Sequence, residues 1–482
     1  MTRVRNPFPA RLAAEVVVLA MAYAAVGLLR HATYRSTGFD LGIFDQAVWQ
    51  LGHGAGPASS LKGLPSLFGD HFSPILVALA PLGTCSCGPA PLIVAQAVLI
   101  AASVVPVVLF ARPRLGDNGA LLVGVGYGLF CGIQSAIAFD FHEVAFAPLL
   151  IASAALLADR EQWWRSLACA LALLLVKEDL AFVVLAFALW FLAQRRPREA
   201  VVCLLAGALW YATITREVIP HFAGGRPFGY WSYDQFGATP GEALRHAVSH
   251  PLQTARIFVS PAEKAQTLLA LFGAFAFLPL ASIEIVLAAP LLAERMLSSN
   301  AQYWTLQGHY SLTIAPVLAI GAARALPFVV STIAARWPSS RRLRLQPGAC
   351  VAIAAIGVLS CASFGVGDLA RASSYHVPDA RRGAPAALAM IPPTASVAAT
   401  NHLVAHLSQR DTVVLLGPRL ASVQYVVAEV ADSDPGALFP YPSRAAQRAA
   451  LRALRGAYRL IYSSGGIQLW QRRPSTSRSA SA

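Results

Sequence analysis

Asp40 and Asp45, with four residues between them, stand in Gly38-Phe39-Asp40-Leu41-Gly42-Ile43-Phe44-Asp45-Gln46-Ala47-Val48-Trp49. Asp70 and His71 lie side by side in Gly69-Asp70-His71-Phe72-Ser73-Pro74, and Asp140, His142 and Glu143 share Phe139-Asp140-Phe141-His142-Glu143. Lys177-Glu178-Asp179 interrupts a long apolar stretch, while Arg295 and His309 flank Ser298-Ser299-Asn300-Ala301-Gln302-Tyr303-Trp304. Carboxylates and imidazoles of this kind can take a proton from a hydroxyl, and a neighbouring Arg or Lys can stabilise a departing phosphate.

Each cluster also has a structural explanation. Asp40 precedes the apolar positions Leu41, Phe44, Val48 and Leu51, which recur at helical spacing, so it can be the N-cap of an amphipathic helix at the membrane surface. Asp45 lies close to that apolar stripe, where an unpaired carboxylate is costly. Ser73-Pro74 is an ordinary helix start, and Asp140 with Glu143 has the spacing of a capping box. Lys177, Glu178 and Asp179 can form an internal ion pair at a turn. Tyr303 and Trp304 suit interfacial anchoring. His402 and His406 are four residues apart, yet no third ligand accompanies them, so a solvated or domain-docking face is expected rather than a metal site.

The elements that must position these residues are apolar helices. Of the 482 residues 56% are hydrophobic and 13% charged, with a mean hydropathy of +0.55; soluble domains carry roughly a quarter charged residues. Candidate spans are 13–29, 90–111, 119–137, 144–158, 166–176, 179–194, 199–215, 264–280, 283–297, 310–334 and 348–364, about eleven crossings, several shorter than the roughly 20 residues a full crossing needs. The net charge of +14 does not point to nucleic acid, because the arginines are bunched in hinges between apolar runs. Placing Arg3, Arg5, Arg112, Arg114, Arg160, Arg165, Arg195, Arg196, Arg198, Arg336, Arg341, Arg342 and Arg344 in the cytoplasm makes every strongly basic hinge agree. The chain is then expected in the cytoplasmic (inner) membrane with its N-terminus inside, and segments 31–73, 138–143, 216–263 and 298–309, with everything after about residue 365, are extracytoplasmic. Cys131, Cys169, Cys203, Cys350 and Cys361 fall in apolar runs and read as packing. Cys85 and Cys87 are either a disulfide or two free thiols.

The fold expected is an all-α polytopic membrane domain over residues 1–365, with outer loops 31–73 and 216–263. A small extracytoplasmic α/β domain follows at 366–473, and then a disordered tail, 474–482. In the outer domain, β-rich runs at 395–399, 412–416 and 423–430, a helical pattern at 401–409, a helix near 443–456 and strands at 458–463 and 467–472 joined by Ser464-Gly465-Gly466 complete the pattern.

The strings FDLGIFDQAVWQL (39–51), GDHFSP (69–74), FDFHEVAFAP (139–148), LLLVKEDLA (173–181), HYSLTIAP (309–316) and NHLVAHLSQR (401–410) resemble a bacterial family of multipass membrane proteins classed as a domain of unknown function. That family is similar to the GT-C superfamily of membrane glycosyltransferases, which use polyprenyl-phosphate sugars outside the cytoplasmic membrane. Asp40-Leu41-Gly42-Ile43-Phe44 resembles the Asp-Leu-x-Val-Tyr pattern of some mannosyltransferases, and by that match Asp40 is the general base. The adjacent Asp-Glu or Asp-x-Asp of many GT-C enzymes is not found there, so a divalent metal is compatible with the sequence without being required by it.

The leading expectation is therefore inverting glycosyl transfer. Asp40 or Asp45 is the base, and Asp70, His71, Asp140, His142, Glu143, Lys177, Arg295 and His309 bind substrate. The partners are membrane lipid, a polyprenyl-phosphate sugar donor and an envelope glycan, lipid or protein acceptor, without nucleic acid. A transporter or lipid flippase, and a noncatalytic envelope scaffold, are the rival readings.

Overall fold

A chain this apolar satisfies its backbone in lipid only by hydrogen-bonding within itself, which favours helices. The computed structural model describes residues 7–335, 339–418, 422–430 and 438–474; the predicted tail after residue 474 and the side chains of Arg336, Arg341, Arg342 and Arg344 lie outside the described part. Two compact units are present. The first comprises Met1–Gly27, Phe68–Leu76 and Ile93–Ala370, the second Leu28–Leu67, Val77–Leu92 and Arg371–Ala482.

The first unit is helical. Phe8–Ala32, Ala90–Gly128, Pro197–Phe222 and Ala315–Ile333 are long and apolar enough to cross a membrane. Shorter apolar helices include Ala147–Asp159, Trp163–Ala172, Ala181–Ala193 and Ile285–Leu297. Residues 104–128 form two helices joined at a kink, because Gly116 takes φ 72°, a conformation a Cβ would strain. Arg112 and Asp117 pair across that kink at 2.7 Å. Helix Ser339–Ser360 packs closely against Val104–Gly128. A Cβ on Gly357 would stand 3.0 Å from the Gly126 Cα, so two glycines let the backbones meet.

Polar breaks punctuate the apolar runs. Lys177 is extended, with φ −162° and ψ 149°, between the short 3-10 turns Leu173–Leu175 and Glu178–Leu180. His142 is extended too and opens the turn Glu143–Phe146, with no side-chain cap. The capping box expected from Asp140 and Glu143 is not formed, because Glu143 turns instead toward the His142 ring.

In the second unit, strands β1 (Val397–Ala399), β2 (Val413–Leu415), β3 (Tyr425–Glu429), β4 (Tyr458–Ser464) and β5 (Ile467–Arg472) form one sheet in the order β2-β1-β3-β5-β4. β1 is parallel to both of its neighbours, and β4 and β5 form an antiparallel hairpin. The hairpin turns on Gly465 and Gly466 at φ 53° and 79°, the left-handed pair that a tight two-residue turn requires. The strands stand where the sequence places them; the helical pattern at 401–409 shortens to Asn401–Val404.

The first loop as far as Leu67 belongs to this unit. A π-helical turn, Gly38–Gly42, runs into the helix Ile43–Gly52. Asp40 lies inside that turn, so it is not the N-cap the spacing suggests; Asn401 Oδ1 accepts the Gly38 and Phe39 N–H groups at 3.1 and 3.0 Å instead. Residues Ile43 to Val48 are all buried, so the segment is a core element of its unit rather than a one-sided surface helix. Gln46 Nε2 donates to Arg410 O at 2.9 Å and to Ser60 Oγ at 2.8 Å. Ser60 Oγ in turn donates to Val413 O and accepts from Val413 N on the edge strand β2. Cys85 and Cys87 are joined as a disulfide.

Gln46 is 1% exposed, so truncating it strands buried partners at a typical cost of about 1–3 kcal/mol each. Gln46→Ala should lower the thermal transition of detergent-purified protein by several degrees, whereas Arg459→Ala, on an exposed position of β4, should leave it unchanged.

Candidate functional site

The first unit gathers most of the sequence-predicted site residues, and it does so at its chain breaks. His71 Nδ1 lies 2.6 Å from Glu178 Oε1, and the other oxygen, Oε2, accepts the Phe72 N–H at 3.0 Å. Glu178 is buried and His71 is part-exposed. A buried carboxylate fixed by a backbone N–H sets the tautomer and direction of the imidazole it holds. Tyr230 stacks on His71 with ring centroids 4.3 Å apart and donates its hydroxyl hydrogen bond to Asp70 Oδ1 at 2.6 Å. That acceptor and burial push the Tyr230 phenol above its ordinary range, burial being the larger cause.

Lys177 stands behind this pair. Its Nζ is 3.3 Å from Asp179 Oδ2 and 4.0 Å from Glu143 Oε1. Glu143 is fully buried, with Oε2 2.7 Å from His142 Nδ1. His142 stacks on His309 at 3.5 Å. Glu294 lies within electrostatic reach of Lys177 and Asp179. Gln96 fixes the loop: its Nε2 donates to Asp140 O at 3.4 Å, and its Oε1 accepts the His142 N–H at 3.0 Å. Carboxylates, imidazoles and one lysine so arranged can hydrogen-bond sugar hydroxyls, hold a phosphate oxygen and carry protons.

Arg295 differs from the expectation of a phosphate ligand. It is 4% exposed, and Nε, Nη1 and Nη2 donate to Tyr303 O, Ser311 Oγ and Thr305 O at 2.9–3.1 Å. Its guanidinium clamps the 303–311 segment. Among the described residues no group of three or more His, Cys, Asp or Glu side chains is arranged to hold a metal ion.

Asp40 and Asp45 belong to the second unit. Asp40 is half-buried. Asp45 is 3% exposed; Oδ2 accepts from Ser408 Oγ at 2.6 Å and Oδ1 from Gln409 Nε2 at 3.3 Å. Burial pushes its carboxyl up to about 6, with the two hydrogen bonds opposing. His402 and His406 do not face solvent together. His402 meets the buried Glu429, which Arg381 also contacts at 3.1 Å. His406 stacks on His31 and meets the Tyr34 ring at a tilt, and burial lowers its imidazole well below the usual value.

Sequence reasoning missed Tyr230, Glu294 and Gln96. Glu294 carried a signal, an acid beside Arg295 in an apolar run, and Tyr230 lies in the aromatic-rich Tyr230-Trp231-Ser232-Tyr233. Gln96 carried none, since one amide in an apolar helix has many uses. The His71–Glu178 contact joins residues 107 positions apart, and no local spacing encodes it.

These helices and their charged breaks belong to a membrane protein whose fold is similar to that of solved membrane proteins. Two structures of ArnT from Cupriavidus metallidurans match it. The one bound to undecaprenyl phosphate has a TM-score of 0.55 at 14% identity, covering 95% of this chain and 98% of that one. The apo form has a TM-score of 0.53 at 13% identity, with the same coverage. The apo oligosaccharyltransferase of Archaeoglobus fulgidus gives a looser likeness, TM-score 0.42 at 15% identity, covering 89% of this chain and 70% of that one. The chain belongs to the family described as predicted membrane protein (DUF2079), whose model matches residues 30–462. No curated protein matches the sequence significantly.

The raised Asp45 carboxyl makes a pH prediction. Its folded value, about 6, exceeds the reference 3.8, so between those values the folded state binds more protons and stability falls as pH rises. Asp45→Asn should flatten the decline in melting temperature between about pH 4 and pH 6. An unchanged slope would show that Asp45 is not its source.

Proposed function

We propose that this chain is an integral membrane glycosyltransferase that moves a sugar from a polyprenyl-phosphate-linked donor to an envelope glycan, lipid or protein at the extracytoplasmic face. The observation that carries the reading is the polar constellation of the first unit: His71 oriented by Glu178, beside Lys177 and Asp179. Buried ionisable groups in a membrane protein are costly and mark functional sites by default. The fold shared with ArnT supports it, and one ArnT structure is bound to undecaprenyl phosphate.

In the reaction the bond between the sugar C1 and the phosphate oxygen breaks, and C1 bonds to the acceptor oxygen with inversion. The acceptor hydroxyl loses its proton to a carboxylate, and the electron pair leaves on the polyprenyl phosphate. Lys177 and the His71 ring offer the donors that the growing phosphate charge needs. Asp70, Asp179 and Tyr230 offer partners to sugar hydroxyls. On the family resemblance the base is Asp40, whereas the hydrogen bonds on both oxygens of Asp45 fit it better to holding its helix. The first-loop carboxylates and the Lys177 constellation are read as extracytoplasmic because the strongly basic hinges are assigned to the cytoplasm.

The test is turnover by purified protein in lipid nanodiscs with a panel of polyprenyl-phosphate sugars and acceptors, following release of the lipid phosphate. Asp40→Asn should reduce turnover by about two to four orders of magnitude with donor binding nearly unchanged. Full activity in Asp40→Asn, Asp45→Asn and the double variant would remove the base from the first loop. No turnover by wild type across the panel, together with substrate-dependent lipid or ion movement in liposomes, would favour a transporter.

A further inference from the structure

A second charged feature lies at the far end of the same helices. Helix Ala181–Ala193 begins just after Glu178 and ends just before Arg195, and at 1.5 Å per residue its 13 residues carry the chain roughly 20 Å away from the His71–Glu178 pair. There a cavity of about 600 Å³ opens between the hinges 161–165 and 195–199. Arg165, Arg195, Arg196 and Arg198 line it, against Glu161 and Glu199. Glu199 is 8% exposed, which leaves the arginines in the majority at the open face. Arg196 stacks over the Trp163 ring at 4.1 Å, and Arg165 Nη1 donates to Gln162 Oε1 at 2.9 Å. Both hinges turn on a non-glycine residue in the left-handed region, Glu161 and Arg195, each at φ 60°. Such conformations are uncommon outside glycine and asparagine and are held by their surroundings.

The neighbouring surface is apolar. Leu189, Leu192 and Leu205 are 63%, 58% and 55% exposed on the two helices that meet at the cavity, and Trp164 at its edge is 72% exposed. The acyl chains of a bilayer cover these side chains, and a phosphate attached to such a chain is held at the depth of the cavity, a tether that a free anion lacks. Basic pockets between membrane helices bind anionic headgroups on these terms.

We propose that this cavity binds the headgroup of an anionic phospholipid, its phosphate among Arg165, Arg196 and Arg198 and its acyl chains along helices Ala181–Ala193 and Pro197–Thr213. The site is independent of the proposed transfer chemistry, which lies at the other end of helix Ala181–Ala193.

Native mass spectrometry of detergent-purified full-length protein, titrated with phosphatidylglycerol or phosphatidylcholine, tests this directly. Wild type should retain phosphatidylglycerol at concentrations at least tenfold lower. An Arg165→Gln, Arg196→Gln, Arg198→Gln triple variant should lose that preference, while Arg256→Gln, on another exposed helix, should keep it. Should the triple variant fail to fold, the corresponding Arg→Lys variant keeps the charge without the planar fork and should bind phosphatidylglycerol several-fold more weakly. Equal retention of the two lipids by wild type would overturn the proposal whatever the variants do. So would displacement of phosphatidylglycerol by millimolar inorganic phosphate alone, which would reassign the cavity to a free anion.

Discussion

Lys177 is the point on which the charged end of the helical unit depends. An ammonium group largely removed from water needs opposite charges or backbone carbonyls around it, and here Asp179 and Glu143 supply the charges at 3.3 and 4.0 Å. The constraint runs outward from that group. Lys177 reaches these partners because the backbone is extended at its own position, between two short turns. That break also brings Glu178 to the His71 ring. Glu143 reaches the lysine because His142 is extended, and His142 is held by Gln96 and stacked on His309. Removal of the lysine charge would leave Glu143 and Asp179 without their shared cation, so the loss is felt across the whole set.

The second unit is held by a different device. Its first-loop helix is tied by side-chain hydrogen bonds that join distant parts of the sequence: Asn401 to the start of the π-turn, Gln46 to Arg410, Ser60 to Val413, and Asp45 to Ser408 and Gln409. Ser60 satisfies both backbone groups of Val413, a residue on the sheet edge that would otherwise need water. Asp45 is committed within its unit, whereas Asp40 lies inside a π-helical turn, a distortion often found at functional sites.

Local patterns were legible in the sequence. The apolar runs gave the helices, Gly465-Gly466 marked the hairpin, and the alternation of the C-terminal segment located its strands. The charged breaks at 139–143 and 177–179 were visible as interruptions of apolar runs, because charge in such a place has few structural excuses. What one residue's neighbours cannot encode was lost. Spacing allows Asp40 and Glu143 to be caps, but Asn401 holds the start of the turn and Glu143 faces His142 and Lys177. Arg295 looked like an available cation because nothing local revealed that three of its nitrogens serve the 303–311 segment. The enclosure of the first loop by C-terminal residues was equally invisible, since it rests on hydrogen bonds spanning more than 350 positions.

The central claim is that the Lys177 constellation receives the phosphate of a lipid-linked substrate. The most direct measurement is the affinity of purified protein for a polyprenyl phosphate, compared between wild type and Lys177→Gln in nanodiscs of neutral lipid. The account predicts binding by wild type and at least a tenfold loss in the variant, with the protein still folded by its thermal transition. Equal affinity in a folded Lys177→Gln protein would contradict it.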